Sequence, residues 1–514
     1  MLAQNFSMKK ILLFFASIFG TIVLFDCSHQ PDAQAQKLAQ IHCGSCHQYP
    51  SPALLDKATW QNSVLPQMAI MCGIPSEIAK IPANKKGTTF DMTVQSPSQL
   101  IPDADWLKIK AFYLAEAPDQ LPKQERKQEI GKLENLFEVR SANIQGKEIA
   151  NFTCIKIDAV NKIVHATDEL NHVWWVLNPD AEAITSYPNQ EAITNIELLS
   201  DPKSPIGSTV LATYMGPSVR VASQKLGSAK EVPLKAINLS KTLLPKLFRP
   251  TQVLSSDLDN DQTPELIAAE YGYAQGGLSV WKRSQSGTYT QKILSASPGA
   301  IKSVVIDFDK DGLQDIVTLF AQGNERIVWF RNKGGMIFEE KTLVQFPPVY
   351  GSSYFEMQDF NKDGRLDILY TCGDNADYSS VLKPYHGVYI FENKGNNQFD
   401  QSYFFALNGA YKAIANDYDQ DGDIDIAAIG FFADFDQQAD EGFVFLENKD
   451  GDYEPKGLNI TNLGRWITMD SGDVDGDGDT DLVLGSHPAS PSPGLLRESW
   501  YKGSGVVFLL NQKK

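Results

Sequence analysis

The pentapeptide Cys-Gly-Ser-Cys-His at residues 43–47 has the residue types and spacing needed to attach a haem. Its two thiols can form thioether bonds with the two vinyl groups of the haem, and the adjacent histidine can bind the iron. A thioredoxin-like pair would stand near a βαβ pattern, a zinc site would need a second ligand pair, and neither context is present. We expect one covalent haem c held by Cys43, Cys46 and His47; a chance disulfide or an incidental metal site is the alternative.

Three segments are predicted to form the helices that hold this motif. Residues 33–42 lead into it, and Trp60 to Met71 is a second helical segment that Pro66 interrupts, since proline lacks the N–H donor. Asp103 to Ala115 is the third segment and begins after a proline. Aromatic residues spaced along the third helix are predicted to be core rather than chemical. They are Trp106, Phe112 and Tyr113.

Residues 33–120 resemble a small c-type cytochrome domain, on the Cys43–His47 motif and these helices. The resemblance implies that the last helix packs against the first beside the haem. It also implies a methionine as the second iron ligand, which raises the reduction potential. The run Val-Leu-Pro-Gln-Met that ends at Met68 is similar to cytochrome domains in which the methionine after Leu-Pro-x binds the iron. Met68 is therefore the favoured ligand, with Met71 and Met92 as alternatives.

The N-terminus has the features of a secretion signal. Two lysines precede an apolar run from Ile11 to Phe25, which is shorter than a membrane span of about 20 residues and typical of a signal peptide. Cys27 and the polar stretch after it resemble a bacterial lipoprotein processing site. We expect a signal peptide over residues 1–27 and a lipid on Cys27, with secretion and cleavage elsewhere as the alternative. The resemblance implies a location in the bacterial cell envelope, outside the cytoplasm, anchored at the periplasmic or outer surface.

Size, charge and cysteine content limit what the rest of the chain can be. Its 514 residues exceed one average domain, and 42% hydrophobic residues are ordinary for globular protein. A net charge of −17 argues against nucleic acid as a partner. The remaining cysteines are scattered, at Cys72, Cys154 and Cys372, and predict no disulfide framework.

A nine-residue acidic phrase recurs five times from residue 257 onward. Oxygen-bearing side chains stand at its positions 1, 3, 5 and 9, and the backbone carbonyl of position 7 is available, which suits Ca²⁺ and its six to eight oxygen ligands. An EF-hand would place its last ligand at position 12 between helices, whereas apolar, β-rich runs follow these loops. The predicted calcium ligands are Asp257, Asp259, Asp261 and Glu265; Asp307, Asp309, Asp311 and Asp315; Asp359, Asn361, Asp363 and Asp367; Asp417, Asp419, Asp421 and Asp425; and Asp473, Asp475, Asp477 and Asp481.

The spacing of the acidic phrases predicts the architecture. They begin at residues 257, 307, 359, 417 and 473, and two worn units around residues 154–178 and 196–212 precede them. A period of this length built from short strands is typical of propeller blades. In four units a second signal follows the loop, an apolar or aromatic residue two positions before an asparagine. These asparagines are Asn332, Asn393, Asn448 and Asn511.

Residues 250–514 resemble the VCBS/FG-GAP repeats of integrin-type β-propellers, on the five acidic loops. The resemblance implies that each loop joins the first two strands of a blade and that its calcium is structural, about four or five ions in all. The loop at 257–265 differs most from the repeat pattern, because Gln262 replaces the turn glycine. The predicted fold is multidomain: a small all-α cytochrome c domain over 33–120, a charged linker over 121–136, and an all-β, seven-bladed propeller over 137–514. The linker is expected to hold one helical segment, from Lys123 to Leu136.

Three functional hypotheses follow from this organisation. The leading one is electron transfer in the cell envelope, with the propeller docking a redox partner protein or a small-molecule or carbohydrate ligand. The second is a haem-linked oxidoreductase with a substrate site in the propeller, although the chain has no G-x-G-x-x-G fingerprint for a flavin or nicotinamide. The third is a surface adhesion protein. Histidines in the propeller strands are expected to be structural or surface residues rather than catalytic ones.

Overall fold

A computed structural model describes residues 32–87, 89–144, 149–199, 209–220, 224–376, 379–488 and 497–513. The predicted signal segment and Cys27 lie outside the described residues. Within these ranges, no helix is long and apolar enough to cross a lipid bilayer.

Seven β-sheets follow one another along the chain as the blades of a propeller. Two short strands precede them, β1 (Gly131–Lys132) and β2 (Phe137–Ser141). Blades 1 to 3 contain β3 (Phe152–Asp158), β4 (Ile163–Asp168), β5 (Val173–Leu177) and β6 (Ala183–Pro188); β7 (Ala192–Leu198), β8 (Thr209–Gly216), β9 (Gly227–Pro233) and β10 (Lys241–Leu247); and β11 (Pro250–Ser256), β12 (Glu265–Glu270), β13 (Gly277–Arg283) and β14 (Tyr289–Ser295). Blades 4 and 5 contain β15 (Ala300–Ile306), β16 (Asp315–Phe320), β17 (Arg326–Asn332) and β18 (Phe338–Gln345); and β19 (Ser352–Gln358), β20 (Asp367–Cys372), β21 (Gly387–Asn393) and β22 (Phe399–Ala406). Blades 6 and 7 contain β23 (Ala410–Asn416), β24 (Asp425–Gly430), β25 (Phe443–Lys449) and β26 (Asp452–Gly457); and β27 (Trp466–Gly472), β28 (Asp481–Ser486) and β29 (Val506–Asn511).

The last blade of the ring combines strands from the beginning and the end of the propeller sequence. Strand β2 pairs antiparallel with β29, so residues that precede blade 1 supply the outer strand of blade 7. Closure of this kind leaves few exposed sheet edges. The prediction of seven blades is confirmed, including the two worn units, which form blades 1 and 2.

The apolar runs after the acidic loops form the second strands of their blades. All six residues of β12, β16, β20, β24 and β28 are buried, which explains why these runs are continuous rather than alternating. Apolar clusters lie between neighbouring blades. One of them joins Leu369 and Ile390 of blade 5 to Ala413 and Ile426 of blade 6. The hydrophobic core of the propeller is therefore a series of inter-blade layers.

The linker follows the propeller surface in an extended conformation. Residues 121–130 contain no helix, and β1 pairs with β26 as a fifth strand of blade 6. The prediction of a helix from Lys123 to Leu136 is therefore wrong. Specific contacts hold the segment extended: Gln124 Nε2 donates to the His386 carbonyl at 2.6 Å, and the Arg126 guanidinium pairs with the fully buried Glu441.

Short helices form the region before the linker, which we call the helical region (residues 32–120). They are α1 (Ala33–Cys43), α2 (Lys57–Thr59), α3 (Leu65–Met71), α4 (Pro75–Ile78) and α5 (Asp103–Glu116); a sixth, α6 (Glu498–Lys502), belongs to blade 7. Asp32 caps α1, because its carboxylate accepts hydrogen bonds from the N–H groups of Gln34 and Ala35. The helices predicted at residues 33–42 and from Asp103 to Ala115 are confirmed. The predicted aromatic core on α5 is confirmed as well, since Trp106, Phe112 and Tyr113 are buried.

The prediction that Pro66 interrupts the second helix is wrong, because the helix is continuous from Trp60 to Met71. A π-helical turn from Trp60 to Val64 joins α2 to α3, and the Leu65 N–H bonds to the Trp60 carbonyl five residues earlier. Proline lacks an N–H, and the wider turn places Pro66 at the start of α3, where no donor is needed. The helix therefore continues through the proline.

The helical region packs on the face of the propeller opposite the acidic loops. Val349, just before β19, is buried in the core of the helical region together with Leu55 and Trp60. The Tyr385 hydroxyl lies 3.1 Å from the Leu54 carbonyl oxygen, and the Tyr385 ring stacks on another propeller tyrosine. These contacts fix the helical region against blade 5, and the Arg126–Glu441 pair holds the linker on blade 6.

Candidate functional site

Each acidic loop joins the first and second strands of its blade, and we name the loops by blade. The blade-3 to blade-7 loops are residues 257–265, 307–315, 359–367, 417–425 and 473–481. In the blade-4 loop, positions 4 and 6 have left-handed backbone, with φ 61° at Lys310 and 91° at Gly312. The Asp307 carboxylate accepts hydrogen bonds from the Asp311 and Gly312 N–H groups at 3.0 and 2.9 Å. The loop thus wraps around its first aspartate.

In blades 4 to 7, the last carboxylate of the loop accepts a hydrogen bond from the backbone of the third strand. In blade 4, the buried Asp315 accepts hydrogen bonds from the Phe308 N–H at 3.2 Å and the Asn332 N–H at 2.7 Å. The backbone N–H of Asn393, Asn448 and Asn511 makes the equivalent bond in blades 5 to 7, at 2.8 Å each. The Asn332 side chain also donates to the Leu258 carbonyl of blade 3 at 2.7 Å. The asparagine signal of the sequence therefore marks the anchor of the acidic loop.

The twenty predicted ligands all lie in these five loops. In four loops, three carboxylates have ligand atoms within 4.8 Å of one another and could hold a metal ion. These groups are Asp257, Asp259 and Glu265; Asp307, Asp309 and Asp311; Asp417, Asp419 and Asp425; and Asp473, Asp475 and Asp481. In the blade-5 loop, Asn361 supplies the amide oxygen of position 3 and accepts a hydrogen bond from the Asp363 N–H.

Several loop carboxylates lack the partners that an isolated anion needs. Burial, reinforced by neighbouring carboxylates, raises the pKa of Asp425 to about 7 and that of Asp481 to about 6. One buried carboxylate oxygen has no hydrogen-bond partner in each of Asp309 and Asp417. The same is true of Asp259 and Glu265 in blade 3. A bound cation would satisfy these oxygens and hold the carboxyls ionised, so the donor set fits Ca²⁺.

The blade-3 loop differs from the other four. The Lys282 ammonium group, on β13, contacts Asp259 closely and lies 2.9 Å from an Asp261 oxygen and 3.6 Å from a Glu265 oxygen. Gln262 occupies the left-handed position that glycine fills in the other loops, with φ 67°. Sequence reasoning marked this loop as the divergent one but missed the lysine, which lies more than 20 residues beyond Asp259 in the chain.

The Cys43–His47 motif begins at the end of α1. Cys43 is the last residue of the helix and packs against the core of the helical region, whereas Cys46 is exposed. Both thiols are free, and burial raises the pKa of Cys43 to about 11. The His47 Nδ1 atom lies 2.9 Å from the Gln48 carbonyl oxygen. If Nδ1 carries the proton, the Nε2 lone pair is available to a metal.

The three candidate methionines have different surroundings. Met68, on α3, is partly buried against the same core cluster as Cys43. Met71 is 43% exposed, and Met92 packs in a separate cluster with Ile70 and Phe90. The structure therefore places Met68 in the same core cluster as Cys43 and leaves the other two outside that cluster.

Cys72 is a neighbour of the motif that sequence reasoning did not assign. It follows α3, and its N–H bonds to the Met68 carbonyl at 2.8 Å. Burial raises the pKa of its thiol to about 11, and the charges of Cys43 and Cys46 act in the same direction. Its position four residues after Met68 on a helical segment is a signal that the sequence does contain.

Three of the four propeller histidines are buried, and His172 is exposed. His165 and His386 are fully buried, and burial lowers the pKa of His165 to about 4. His487 lies 3.2 Å from the Glu169 carboxylate and is also buried. Near the helical region, a cavity lined by Val349 and neighbouring residues encloses about 10 Å³, the space of one water molecule. That cavity is too small for an organic substrate.

Comparison with known proteins supports the repeat pattern of the acidic loops. The model of the FG-GAP-like repeat family matches residues 257–318 and 307–370, and these matches begin at the blade-3 and blade-4 loops. Together with the sheet order, they define a seven-bladed β-propeller that carries FG-GAP-like repeats. No curated protein sequence matches the chain.

Solved structures with similar coordinates share little sequence with this chain. The N-terminal domain of Nup159 is 10% identical with a TM-score of 0.43, covering 76% of this chain and 98% of that chain. A complex of S. cerevisiae Dbp5 with Nup159, Gle1, IP6 and ADP gives the same values. BBS1N in complex with ARL6DN is 9% identical with a TM-score of 0.43, covering 72% of this chain and 97% of that chain. None of these likenesses bears on what this chain binds.

Proposed function

We propose that this chain is an electron-transfer protein of the bacterial cell envelope, with one covalent haem c on its helical region and a calcium-stabilised propeller that docks a redox partner. The observation that carries the proposal is the Cys43–His47 motif at the end of α1, with Met68 against the same core. When bound, the haem would supply reversible one-electron chemistry.

The residues around the motif fit the attachment of a haem. Cys43 would hold one thioether bond from the core side of α1, and Cys46 would hold the other from the exposed side. His47 would be the proximal iron ligand through Nε2, because the carbonyl of Gln48 is placed to accept from Nδ1. Met68 is the proposed distal ligand, since it is the candidate methionine that packs in the core cluster of Cys43.

Calcium in the acidic loops would make the propeller a rigid support. Each ion would neutralise a loop whose last carboxylate is buried and anchored by the third strand, as Asp425 is by Asn448. The ions would therefore tie the first, second and third strands of a blade together. The carboxylate groups of four loops, whose ligand atoms lie within 4.8 Å of one another, support a metal-binding role for this phrase.

Lipidation of Cys27 would place the protein at a membrane surface. The support is the apolar run from Ile11 to Phe25 and the cysteine that follows it. A lipid anchor there would leave only a few residues before α1, so the haem would be held close to the bilayer. The proposed partner is a redox protein with a basic surface, because the chain carries a net charge of −17.

The test is a reduction assay on the purified holoprotein. The haem absorbance would be followed by stopped flow after mixing with reduced small redox proteins or with sugars and alcohols. We expect exchange with redox proteins only, faster at low salt for basic partners. Reduction by an organic compound alone would overturn the carrier function and favour a haem-linked oxidoreductase.

A further inference from the structure

One register position on the third strand carries a side chain that contacts the acidic loop in blades 3 and 4. In blade 4 this is Arg331, which directly follows Phe330, the partner of Ile316 across the sheet. In blade 3 it is Lys282, because Trp281 pairs with Leu266 in the same register. The residues at this position in blades 3 to 7 are Lys282, Arg331, Glu392, Glu447 and Leu510. The charge at one register position therefore changes sign around the ring.

The Lys282 ammonium group occupies the acidic loop of blade 3. It makes ion-pair contacts with Asp259, Asp261 and Glu265, which are three of the four predicted ligands of that loop. An ammonium group carries three donors and a full positive charge, so it can neutralise carboxylates that would otherwise need a metal ion.

We propose that Lys282 takes the place of calcium in the blade-3 loop, so that this blade is neutralised by its own side chain while the other loops bind metal. The inference rests on the calcium sites of the proposed function. The backbone supports it, because the loop adopts its turn with Gln262 where the metal-binding loops have glycine. Blade 3 would thus stay folded at calcium concentrations that empty its neighbours.

Arg331 shows why the substitution is specific to blade 3. Its guanidinium lies 2.5 Å from an Asp309 oxygen and 3.4 Å from an Asp311 oxygen, and makes no such contact with Asp307 or Asp315. One buried oxygen of Asp309 has no hydrogen-bond partner, as is also true of one oxygen of Asp259 in blade 3. The difference between the two blades is that the Lys282 ammonium group also reaches the last carboxylate of its loop, Glu265. We therefore expect blade 4 to bind calcium, but more weakly than blade 6. In blade 6, Glu447 adds negative charge near Asp419.

The test counts calcium ions per chain in the full-length protein by native mass spectrometry and by metal analysis. Asp259→Ala should leave the count unchanged, whereas the matched change at position 3 of the blade-6 loop, Asp419→Ala, should lower it by one. Lys282→Gln should raise it by one, because it frees the blade-3 carboxylates. Lys292→Gln, on the next strand of the same blade, should change nothing.

The outcomes separate the inference from the proposed function. A wild-type protein that binds calcium but loses one ion in Asp259→Ala, or gains none in a folded Lys282→Gln, would overturn the role of Lys282 and leave the other sites intact. A wild-type protein that binds no calcium would overturn the calcium part of the proposed function, and the inference with it. The Asp259→Ala result decides the inference if Lys282→Gln does not fold.

Discussion

The helical region and the propeller hold their candidate ligands by opposite means. In the helical region, both cysteines and the histidine lie within five consecutive residues at the end of α1. In the propeller, nine residues carry the carboxylates of a loop, and a distant strand anchors the last of them, as Asn332 anchors Asp315. Ligands that are adjacent in the sequence stay close together even when the surrounding fold changes. An acidic loop keeps its geometry only while the strands that anchor it are paired in the correct register. The two regions should therefore respond differently to perturbation.

Removing calcium should produce the largest effect, and only in the propeller. At a free calcium concentration of about 100 times Kd, each site contributes about 2.7 kcal/mol to the free energy of unfolding. Loss of several sites should lower the melting temperature by more than about 10 °C, since 1 kcal/mol corresponds to roughly 2–4 °C in a large domain. Scanning calorimetry in excess chelator measures this. An unchanged melting curve in excess chelator would contradict the assignment of calcium to the acidic loops.

Breaking the Arg126–Glu441 pair should have the next largest effect, because it joins the linker to blade 6 through a buried carboxylate. Glu441 is fully buried and also accepts hydrogen bonds from Asn408 and the Asp434 N–H. Removing one partner of a buried ion pair costs about 3–5 kcal/mol. Glu441→Gln should lower the unfolding free energy by that order and expose Arg126 to trypsin.

The control for this variant is Glu129→Gln, on an exposed linker residue. It should leave both stability and the rate of trypsin cleavage unchanged. Equal behaviour of the two variants would mean that the linker is not held by the buried pair.

Removing one anchoring side chain should have a smaller effect, confined to one blade. The Asn448 side chain donates to the Ile424 carbonyl at 3.1 Å and accepts from the Gly451 N–H at 2.8 Å. Asn448→Ala should lower the unfolding free energy by about 1–3 kcal/mol, because buried backbone groups lose partners. Calcium affinity of the blade-6 loop should fall with it. Urea unfolding and calcium titration test this, and the exposed Asn459→Ala is the matched control.

Replacing Met68 should have the smallest effect on stability and a spectroscopic effect only in the helical region. Met68→Ala should abolish the weak sulfur-to-iron charge-transfer band at the red end of the oxidised spectrum and lower the reduction potential, since methionine ligation raises it. Met71→Ala and Met92→Ala should keep the band. A band that survives in Met68→Ala assigns the distal position to one of the other two methionines.

The repeated acidic loops allowed the number and positions of the propeller blades to be predicted from the sequence. Loop spacing and the buried second strands set the position of each blade, so even blades 1 and 2, which lack most carboxylates, fall at the expected places. The pairing of Asn332 with Asp315 was not readable, because it depends on the register of β16 and β17. Lys282 was missed for the same reason, since only the sheet brings it to Asp259.

Local rules failed where tertiary contacts compete with them. Helical composition favoured a helix from Lys123 to Leu136, yet Gln124 and Arg126 find partners on the propeller only in an extended chain. Pro66 predicted a break in the helix. The π-helical turn before it places the proline in the first turn of α3, where its missing N–H leaves no helical hydrogen bond unmade. In contrast, the Cys43–His47 motif needs only a helix end, and that element was predicted correctly.

The most direct test of the central claim is whether the chain carries a covalent haem. The protein should be produced in bacteria that attach haem outside the cytoplasm, denatured, extracted with acidified solvent and analysed by mass spectrometry and by its pyridine haemochrome spectrum. We predict that one haem stays bound to the wild-type chain and to Cys72→Ala, and that Cys46→Ala and Cys43→Ala lose full covalent attachment while the propeller stays folded. A wild-type chain with the mass of the polypeptide alone would contradict the account.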